Sequence, residues 1–234
     1  MNDKIVVIHQ PDFMPYLGFF QRLIMADIYV VLDNVQYVRG SSRTQTNRDK
    51  IKTANGEKWI NVGIQKAPFK SRIDEIRLAQ ENSWRERSLN LLKENYRKTD
   101  FFEEIFPYLQ ELYKIECEKM VDFNMASIKM LIDLFGIENI EIKYASALQA
   151  AGKSNELIIN LVKAVGCTRY LSGIGARDYY VPELYEQAGV EVIWQKFEHP
   201  VYPQQFGDFI PYLSSIDLLF NCGIDQSREI LRHC

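Results

Sequence analysis

A histidine directly follows the first apolar run of the chain and is the first side chain suited to chemistry. Ile5-Val6-Val7-Ile8 has the continuous apolar character of a strand buried in a parallel sheet, and His9-Gln10-Pro11 comes next. A histidine at such a strand end can act as a general base or donate to a developing oxyanion, since its ordinary pKa lies near working pH. Gln10 adds an amide that could orient a substrate. The alternatives are that His9 bonds only its own loop and that Gln10 caps the next helix.

A carboxylate occupies the matching place after the second predicted strand. Residues 28–32 are apolar, Asp33 follows them, and residues 17–26 between the two strands have helical spacing. This order predicts a βαβ unit, in which ligands bind beyond the carboxyl ends of the strands. We therefore expect Asp33 to bind a ribose, an amino group or His9, with a turn or cap role as the alternative. Two polar side chains after it join the predicted substrate site: Gln36 and Tyr37.

A local basic run follows, in a chain whose overall charge is slightly negative. It comprises Arg39, Arg43, Asn47, Arg48, Lys50 and Lys52, with Asp49 as its only acid. Arginine and asparagine side chains together suit phosphate or carboxylate groups, because they present forked donors. We predict that Arg43, Asn47 and Arg48 bind substrate, whereas a solvated charged loop is the alternative.

Two segments of the second half also carry candidate binding groups. Ser172-Gly173 follows a short strand, and the backbone N–H groups of such a turn can hold an anion, although an ordinary tight turn is equally compatible. Asp178 adds a side chain nearby. The segment 197–204 is polar and aromatic with two prolines, as ligand-contacting loops often are. Its candidate binding residues are His199, Tyr202 and Gln204, with a structural role for His199 left open. Asp217 is expected to be a supporting or capping group.

Several common catalytic motifs are absent from the sequence. There is no phosphate loop and no G-x-S-x-G nucleophile elbow, and Gly173-Ile174-Gly175 lacks the third glycine of a dinucleotide fingerprint. His9, His199 and His233 do not pair at metal-ligand spacing, so we expect no metal site. The four cysteines lie far apart and predict reduced thiols rather than disulfides or zinc ligands.

Length and composition indicate an ordinary globular protein. The 234 residues are 47% hydrophobic and 25% charged, with a formal net charge of −3. These values favour one α/β domain over residues 1–234 and give no overall attraction to nucleic acid. No apolar run is long enough to span a bilayer, and the opening residues 1–8 are too short for a signal peptide. We expect a cytoplasmic protein that neither binds nucleic acid nor inserts into a membrane.

The pattern of elements predicts an α/β fold, with a mostly parallel sheet, helices on both faces and a helical insertion at about 84–135. Within the insertion, Pro107 suggests a helix start. Asn55-Gly56 predicts a turn before a strand. Further strands are expected at 58–64, 73–78, 140–144, 170–172 and 190–194, and further helices at 154–165 (capped by Ser154), 182–188 (ending at Gly189) and 213–221, with a short terminal helix.

Short segments in a fixed order connect these features: His9-Gln10-Pro11, Pro15-Tyr16-Leu17-Gly18-Phe19-Phe20, Leu32-Asp33-Asn34-Val35-Gln36-Tyr37, Asn47-Arg48, Ile51-Lys52, Trp59-Ile60-Asn61-Val62, Tyr170-Leu171-Ser172-Gly173, His199-Pro200 with Tyr202 and Gln204, Phe209, and Leu213-Ser214 with Asp217-Leu218-Leu219-Phe220-Asn221 and Gly223. Together they resemble the WbqC-like family of bacterial proteins. The chain departs from that family at Tyr16, where tryptophan is common, and at Gly63, where proline is common.

The resemblance implies a protein encoded among genes for surface polysaccharides, such as O-antigen and lipopolysaccharide. It further implies an N-acyltransferase that attaches an amino-acid-derived group, such as glycyl, to the amino group of a nucleotide-linked sugar. In that hypothesis His9 takes the amine proton, Asp33 orients His9 or the amine, and Arg43 and Arg48 hold a diphosphate. Ser172-Gly173 would serve the anion or the oxyanion.

The implied acyl donor is carrier-bound, of the phosphopantetheine or CoA type, with an acyl carrier protein as partner and no tightly bound cofactor. One alternative is an ATP-dependent nucleotidylyl-transferring or acyl-adenylating enzyme, although the H-x-G-H arrangement is missing. Another is a non-catalytic protein that binds nucleotide-linked sugars.

Overall fold

A computed structural model describes residues 4–38 and 45–234 of the chain. The strands are β1 (Ile5–His9), β2 (Ile28–Val31), β3 (Arg48–Thr53), β4 (Gly56–Asn61), β5 (Glu141–Tyr144), β6 (Arg169–Ser172) and β7 (Glu191–Trp194). The α-helices are α1 (Leu17–Ile24), α2 (Ser83–Tyr96), α3 (Phe102–Lys114), α4 (Met120–Leu134), α5 (Asn155–Ala164), α6 (Pro182–Ala188) and α7 (Ile216–Arg232). Two 3-10 helices span Ile73–Glu75 and Ile174–Tyr179.

Five strands form a parallel sheet in the order β5-β2-β1-β6-β7. The chain runs from central β1 through α1 to β2, as the predicted βαβ unit requires, and β5 extends the sheet on that side. The chain then crosses to the other side of β1, where β6 and β7 complete the sheet. The order therefore reverses between β1 and β6, and their carboxyl ends flank the crevice where α/β sheets bind ligands.

Alternate residues of the central strands point to two separate cores. Val7 of β1 and Tyr29 of β2 pack with α1, α3, α4 and α7, whereas Val6 of β1 and Val30 of β2 pack with residues of α5 and α6. Because both faces of the sheet are covered, β1 and β2 read as unbroken apolar runs rather than alternating ones. The predicted α/β class, with helices on both faces of a parallel sheet, is confirmed.

The polar segment before residue 55 contains a strand that the sequence pattern did not reveal. β3 pairs with β4 as an antiparallel hairpin, and Gly56 at the predicted turn has φ +94°. Arg48 and Lys50 lie over the ring of Trp59, and Lys50 also pairs with Glu57. Arg48 and Lys50 of β3 thus have their partners on β4, whereas buried Lys52 donates to the carbonyls of Gly207 and Asp208.

Three further predictions of local structure are wrong. Residues 73–78 do not form a strand, since they contain the 3-10 helix and only isolated bridges at their end. Pro107 does not start a helix but lies inside α3, on its exposed side. Because proline has no N–H, the carbonyl of Glu103 lacks its helical hydrogen bond, and Glu103 is exposed, so water can bond that carbonyl. Ser154 precedes α5 with φ +50° and makes no capping hydrogen bond.

The predicted helical region 84–135 contains α2, α3 and α4, and the predicted break in the tail is also found. α7 is kinked at Gly223, which has φ +70° and ψ 176°, a conformation that is essentially restricted to glycine. A Cβ atom at this position would lie 2.5 Å from the ring of Phe101. Glycine therefore permits both the kink and the close approach of the Phe101 ring before α3.

The loop after β1 is held by elements that are distant in sequence. Ser214 Oγ donates to the carbonyl of Met14 (2.7 Å), and the Ser215 N–H donates to the carbonyl of Pro15 (3.1 Å). From α4, Asn124 Nδ2 donates to the carbonyl of Pro11 (2.7 Å). These bonds satisfy buried backbone groups of a loop that has no regular structure of its own. Among the described helices, none is long and apolar enough to cross a membrane.

Candidate functional site

Two cavities meet at the carboxyl ends of β1 and β6. The first, here the aromatic lobe, has a volume of about 660 Å³ and is lined by Tyr170, Tyr179, Tyr180, Tyr185 and Trp194, with Asp12 and Thr46. The second, here the arginine lobe, has a volume of about 500 Å³ and is lined by Tyr16, Arg22, Gln195, Phe197 and Tyr212. Both lobes share Ile8, His9, Tyr170 and Ser172. The strand-end histidine therefore stands at their junction.

A larger cavity lies elsewhere on the protein. It has a volume of about 840 Å³, lies against α2 and α3, and contains none of the residues at the carboxyl edge of the sheet. Its charged rim includes Arg77 and Glu118, which are paired with each other at 2.9 Å. The strand-end lobes, which hold buried titratable groups with perturbed pKa values, are the better candidate for chemistry.

His9 is neutral and has a defined tautomer. Its Nδ1 lies 2.9 Å from the carbonyl oxygen of Gln10, and because a carbonyl can only accept, Nδ1 carries the proton and Nε2 the lone pair. The ring packs edge-on against Phe19. Burial, together with the charge of Arg22, lowers the pKa of His9 to about 3. The expectation of an ordinary histidine pKa is therefore wrong, and His9 alone is a weak base.

Asp12 is the partner of His9 that sequence analysis missed. Its Oδ2 lies 3.7 Å from His9 Nδ1, and its side chain is 12% exposed. Burial raises the pKa of Asp12 to about 7, against the opposing effects of the Arg22 charge and a hydrogen bond from Thr46. Asp12 thus changes protonation near pH 7 while His9 stays neutral, so the pair takes up one proton in that range. The sequence does contain a sign of this pair, since an aspartate lies three residues after His9 and directly follows Pro11.

Asp33 is used by the fold rather than by His9. Its carboxylate is buried and accepts hydrogen bonds from the backbone N–H of Ser146 (2.9 Å) and from Ser146 Oγ (2.6 Å). Within residues 4–38 and 45–234 it neither contacts His9 nor lines either lobe. The predicted orienting contact is absent there because the loop after β5 occupies both carboxylate oxygens.

A substitution pair at Asp33 separates these roles. We expect Asp33→Asn to retain turnover, since the amide keeps one oxygen for the Ser146 N–H and can donate to the hydroxyl. Asp33→Ala should lower the free energy of unfolding by about 1–3 kcal/mol, because it removes both hydrogen bonds with Ser146, each contributing about 0.5–1.5 kcal/mol. Urea unfolding and initial-rate assays check both variants. A loss of turnover in a well-folded Asp33→Asn protein would restore Asp33 as a catalytic carboxylate.

Three other predicted residues are brought to the lobes. Gln10 lines the aromatic lobe, and its Oε1 shares the hydroxyl proton of Thr46 (3.2 Å) with Asp12. Ser172 lines both lobes and its hydroxyl donates to Tyr170 (3.3 Å), while Gly173 lines the arginine lobe. These positions are compatible with the predicted binding roles.

Of the predicted residues in the region 36–48, the four that the structure describes are not brought to the lobes. Gln36 is exposed and forms a bridge with Arg72, and Tyr37 is buried, with its backbone N–H bonded to Ser71. Asn47 and Arg48 lie at the start of the β3–β4 hairpin, where the Arg48 guanidinium stacks over Trp59 at 4.2 Å. Arg39 and Arg43 lie outside the described residues.

Asp178 and His199 are also outside both lobes. Asp178 is exposed on the 3-10 helix Ile174–Tyr179. His199 Nδ1 bonds the carbonyl of Pro200 (2.9 Å), and burial lowers its pKa. The ring contacts Phe197 and Tyr212, which line the arginine lobe, so His199 supports that wall from behind.

Tyr202 and Gln204 belong to a buried hydrogen-bond network centred on Asp217. Tyr202 OH (3.0 Å) and Gln204 Nε2 (2.7 Å) donate to Asp217 Oδ2, and Tyr96 OH donates to Oδ1 (2.7 Å). Burial raises the pKa of Asp217, and these donors oppose that rise. Neither Tyr202 nor Gln204 lines a lobe, so the structure uses their polar atoms to connect α2, α7 and the loop before α7.

In the part of the chain that the structure describes, no group of three or more histidine, cysteine, aspartate or glutamate side chains is placed to hold a metal ion. The four cysteines are unpaired with one another, and burial raises the pKa of each thiol.

Comparison with known proteins supports the ordered resemblance found in the sequence. The WbqC-like protein family matches residues 10–229, a stretch that includes Asp12, Arg22 and Ser172 and begins directly after His9. The chain is also 29% identical over 235 residues to the uncharacterized protein Rv1507c of Mycobacterium tuberculosis, and the match covers 99% of each chain.

Proposed function

This chain belongs to the WbqC-like protein family, and we propose that it is an N-acyltransferase acting on the amino group of a nucleotide-linked amino sugar. The transferred group is derived from an amino acid, such as glycyl, and the product is destined for a surface polysaccharide such as O-antigen. The observation that carries the proposal is the His9–Asp12 pair, which can accept one proton near pH 7 at the junction of two lobes.

The chemistry of amide formation requires such a proton acceptor. The sugar amine attacks the carbonyl carbon of the activated acyl group, a C–N bond forms, and the leaving group departs with the electron pair of its bond to carbon. The amine proton passes to the Nε2 lone pair of His9, and the ionised carboxylate of Asp12, 3.7 Å from Nδ1, stabilises the positive charge that forms on the ring. Ser172-Gly173 is our candidate for stabilising the oxyanion.

The shape of the site supports two substrates that meet at His9. In the aromatic lobe, the ring centre of Tyr180 lies 5.1 Å from that of Trp194 and 5.0 Å from that of Tyr185. Such ring faces suit a sugar or a nucleobase. The sheet reverses its order beside β1, as in nucleotide-binding α/β folds, an analogy at the level of fold. The proposed donor is carrier-bound, of the phosphopantetheine or CoA type, presented by an acyl carrier protein, in the cytoplasm.

Product analysis tests this function. The protein would be incubated with nucleotide-linked amino sugars and with acyl donors that are carrier-bound, CoA-bound or activated by ATP, and the masses of the products would be read. We expect an amide of the sugar with one of the thioester donors. ATP-dependent release of pyrophosphate would instead indicate a nucleotidylyl-transferring or acyl-adenylating enzyme. Sugar binding without product under any donor would indicate a non-catalytic binding protein.

A further inference from the structure

Arg22 is a buried cation in the wall of the arginine lobe. It lies in the last turn of α1 and is only 4% exposed, although arginine is rarely buried unless it is paired. Its Nε donates to the carbonyl of Gly18 (3.4 Å), an oxygen that also accepts from Gln195 Nε2 (2.7 Å). The orientation of the guanidinium is therefore set by α1 and by the residue that follows β7.

No described carboxylate forms a direct ion pair with this charge, although the charge acts on Asp12 and the guanidinium carbon lies 5.9 Å from the centre of the Phe19 ring. Across residues 4–38 and 45–234, no carboxylate lies within ion-pair distance of the guanidinium, and the bond to Gly18 is its one hydrogen bond. A guanidinium has five N–H donors in a planar fork. Most of its N–H donors are thus available to a group bound in the arginine lobe.

The turn after β6 leaves space for the guanidinium group of Arg22. Arg22 Nη1 would lie 3.1 Å from a Cβ atom at residue 173, closer than ordinary packing, so the absence of a side chain on Gly173 admits the guanidinium to this wall. Gly173 and Arg22 both line the arginine lobe, whose volume is about 500 Å³. A group bound there would lie next to the His9 junction.

We infer that Arg22 is the receptor for an oxyanion of the ligand, a phosphate or a carboxylate group held by the guanidinium fork. Burial of a cation without a direct ion-pair partner is unfavourable, and a bound anion would offset that cost. Phosphate and carboxylate oxygens match the fork with two parallel hydrogen bonds. The inference deepens the proposed function, because a nucleotide-linked sugar carries a diphosphate, but it concerns binding and can be tested without turnover.

The test measures anion binding to the whole protein by calorimetry and by thermal melting at constant ionic strength. Pyrophosphate probes a phosphate site and acetate probes a carboxylate site, each with wild type, Arg22→Met and Arg22→Lys. We expect Arg22→Met to weaken binding of the preferred anion at least about tenfold, since charged hydrogen bonds are lost. Arg22→Lys should bind with intermediate affinity, because it keeps the charge but loses the fork.

A matched control removes a different arginine. Arg228 donates to the carbonyls of Leu134 and Asp133 and lines neither lobe, so Arg228→Met should bind the anion as wild type does. Without anion, Arg22→Met should melt no lower than wild type, because an unpaired buried charge is removed. If Arg22→Met does not fold, the comparison is made with Arg22→Lys.

The outcomes separate the source of the anion from the existence of the receptor. Tighter binding of pyrophosphate than of acetate assigns a phosphate site, and the reverse assigns a carboxylate site. Loss of binding of the preferred anion when Arg22 is replaced supports Arg22 as its receptor. No response of wild type to either anion, or an equal response in the Arg22 variants, would overturn it. Failure of the product assay with retained Arg22-dependent binding would reject only the acyl transfer.

Discussion

His9→Ala is expected to lower kcat about 10²–10⁴-fold while the protein stays folded, since this is the range that a positioned general base contributes. Asp12→Asn should cause a comparable loss above pH 7, where Asp12 is ionised in the wild-type protein.

In wild type, kcat/KM should fall as the pH drops through about 7, because Asp12, whose pKa is raised to about 7, becomes protonated and the pair can no longer accept a proton. Steady-state rates between pH 5 and 9 measure both effects.

The double variant tests whether His9 and Asp12 act as one unit. Residues that serve a single catalytic step are strongly non-additive, so His9→Ala with Asp12→Asn should lose no more than the worse single variant. Asp33→Asn is the matched control, because it removes the charge of a buried carboxylate that bonds Ser146 instead of His9. Losses that multiply in the double variant, or near-normal turnover of His9→Ala, would contradict the assignment.

Asp217→Ala is expected to lower the free energy of unfolding by at least about 3 kcal/mol, the largest stability effect outside the apolar core. The substitution leaves the hydroxyls of Tyr96 and Tyr202 and the amide of Gln204 without their acceptor in a buried site, and each orphaned donor costs about 1–3 kcal/mol. Urea unfolding monitored by circular dichroism measures the loss.

Two control variants show whether the loss of stability comes from the hydrogen bonds of Asp217. Asp217→Asn keeps the volume and one acceptor oxygen, and should therefore destabilise the protein less than alanine does. Asp225→Ala removes an aspartate from the same helix whose side chain is fully exposed, and should leave unfolding unchanged. A small effect of Asp217→Ala would mean that the three donors find other partners, and Tyr202 and Gln204 would again be candidates for substrate binding.

The fold could be predicted from sequence wherever burial on both faces leaves a simple pattern. β1 and β2 are unbroken apolar runs because both faces are covered, and from them the parallel sheet and the strand-end position of His9 follow. β3 was not predicted because its basic residues hide the alternation of polar and apolar side chains that marks a strand. The stacking of Arg48 and Lys50 on Trp59 exists only once the hairpin has formed. Two helices were predicted in the tail, but neither Gly223 as the position of the kink nor the ring of Phe101 that fills the space was identified.

The predicted residues His9, Gln10, Ser172 and Gly173 line the two lobes, but their neighbours there differ from those predicted. Arg22 and Asp12 carry ordinary local signals, and their importance arises from burial beside residues of β6 and β7 about 150 positions away. Asp217 was expected to support other groups, but its bond to Tyr96 crosses 121 residues and no spacing rule reveals it. Local patterns indicate which side chains are polar, and tertiary packing decides which of them face a cavity.

The protonation of Asp12 tests the central claim most directly. Carboxyl resonances of the protein labelled with ¹³C-aspartate would be followed from pH 4 to 9, and comparison with Asp12→Asn would identify the resonance of Asp12. We expect a midpoint near pH 7 for this carboxyl, with His9 still neutral at pH 5. A midpoint in the ordinary range of aspartate, with His9 titrating near its ordinary pKa, would contradict it.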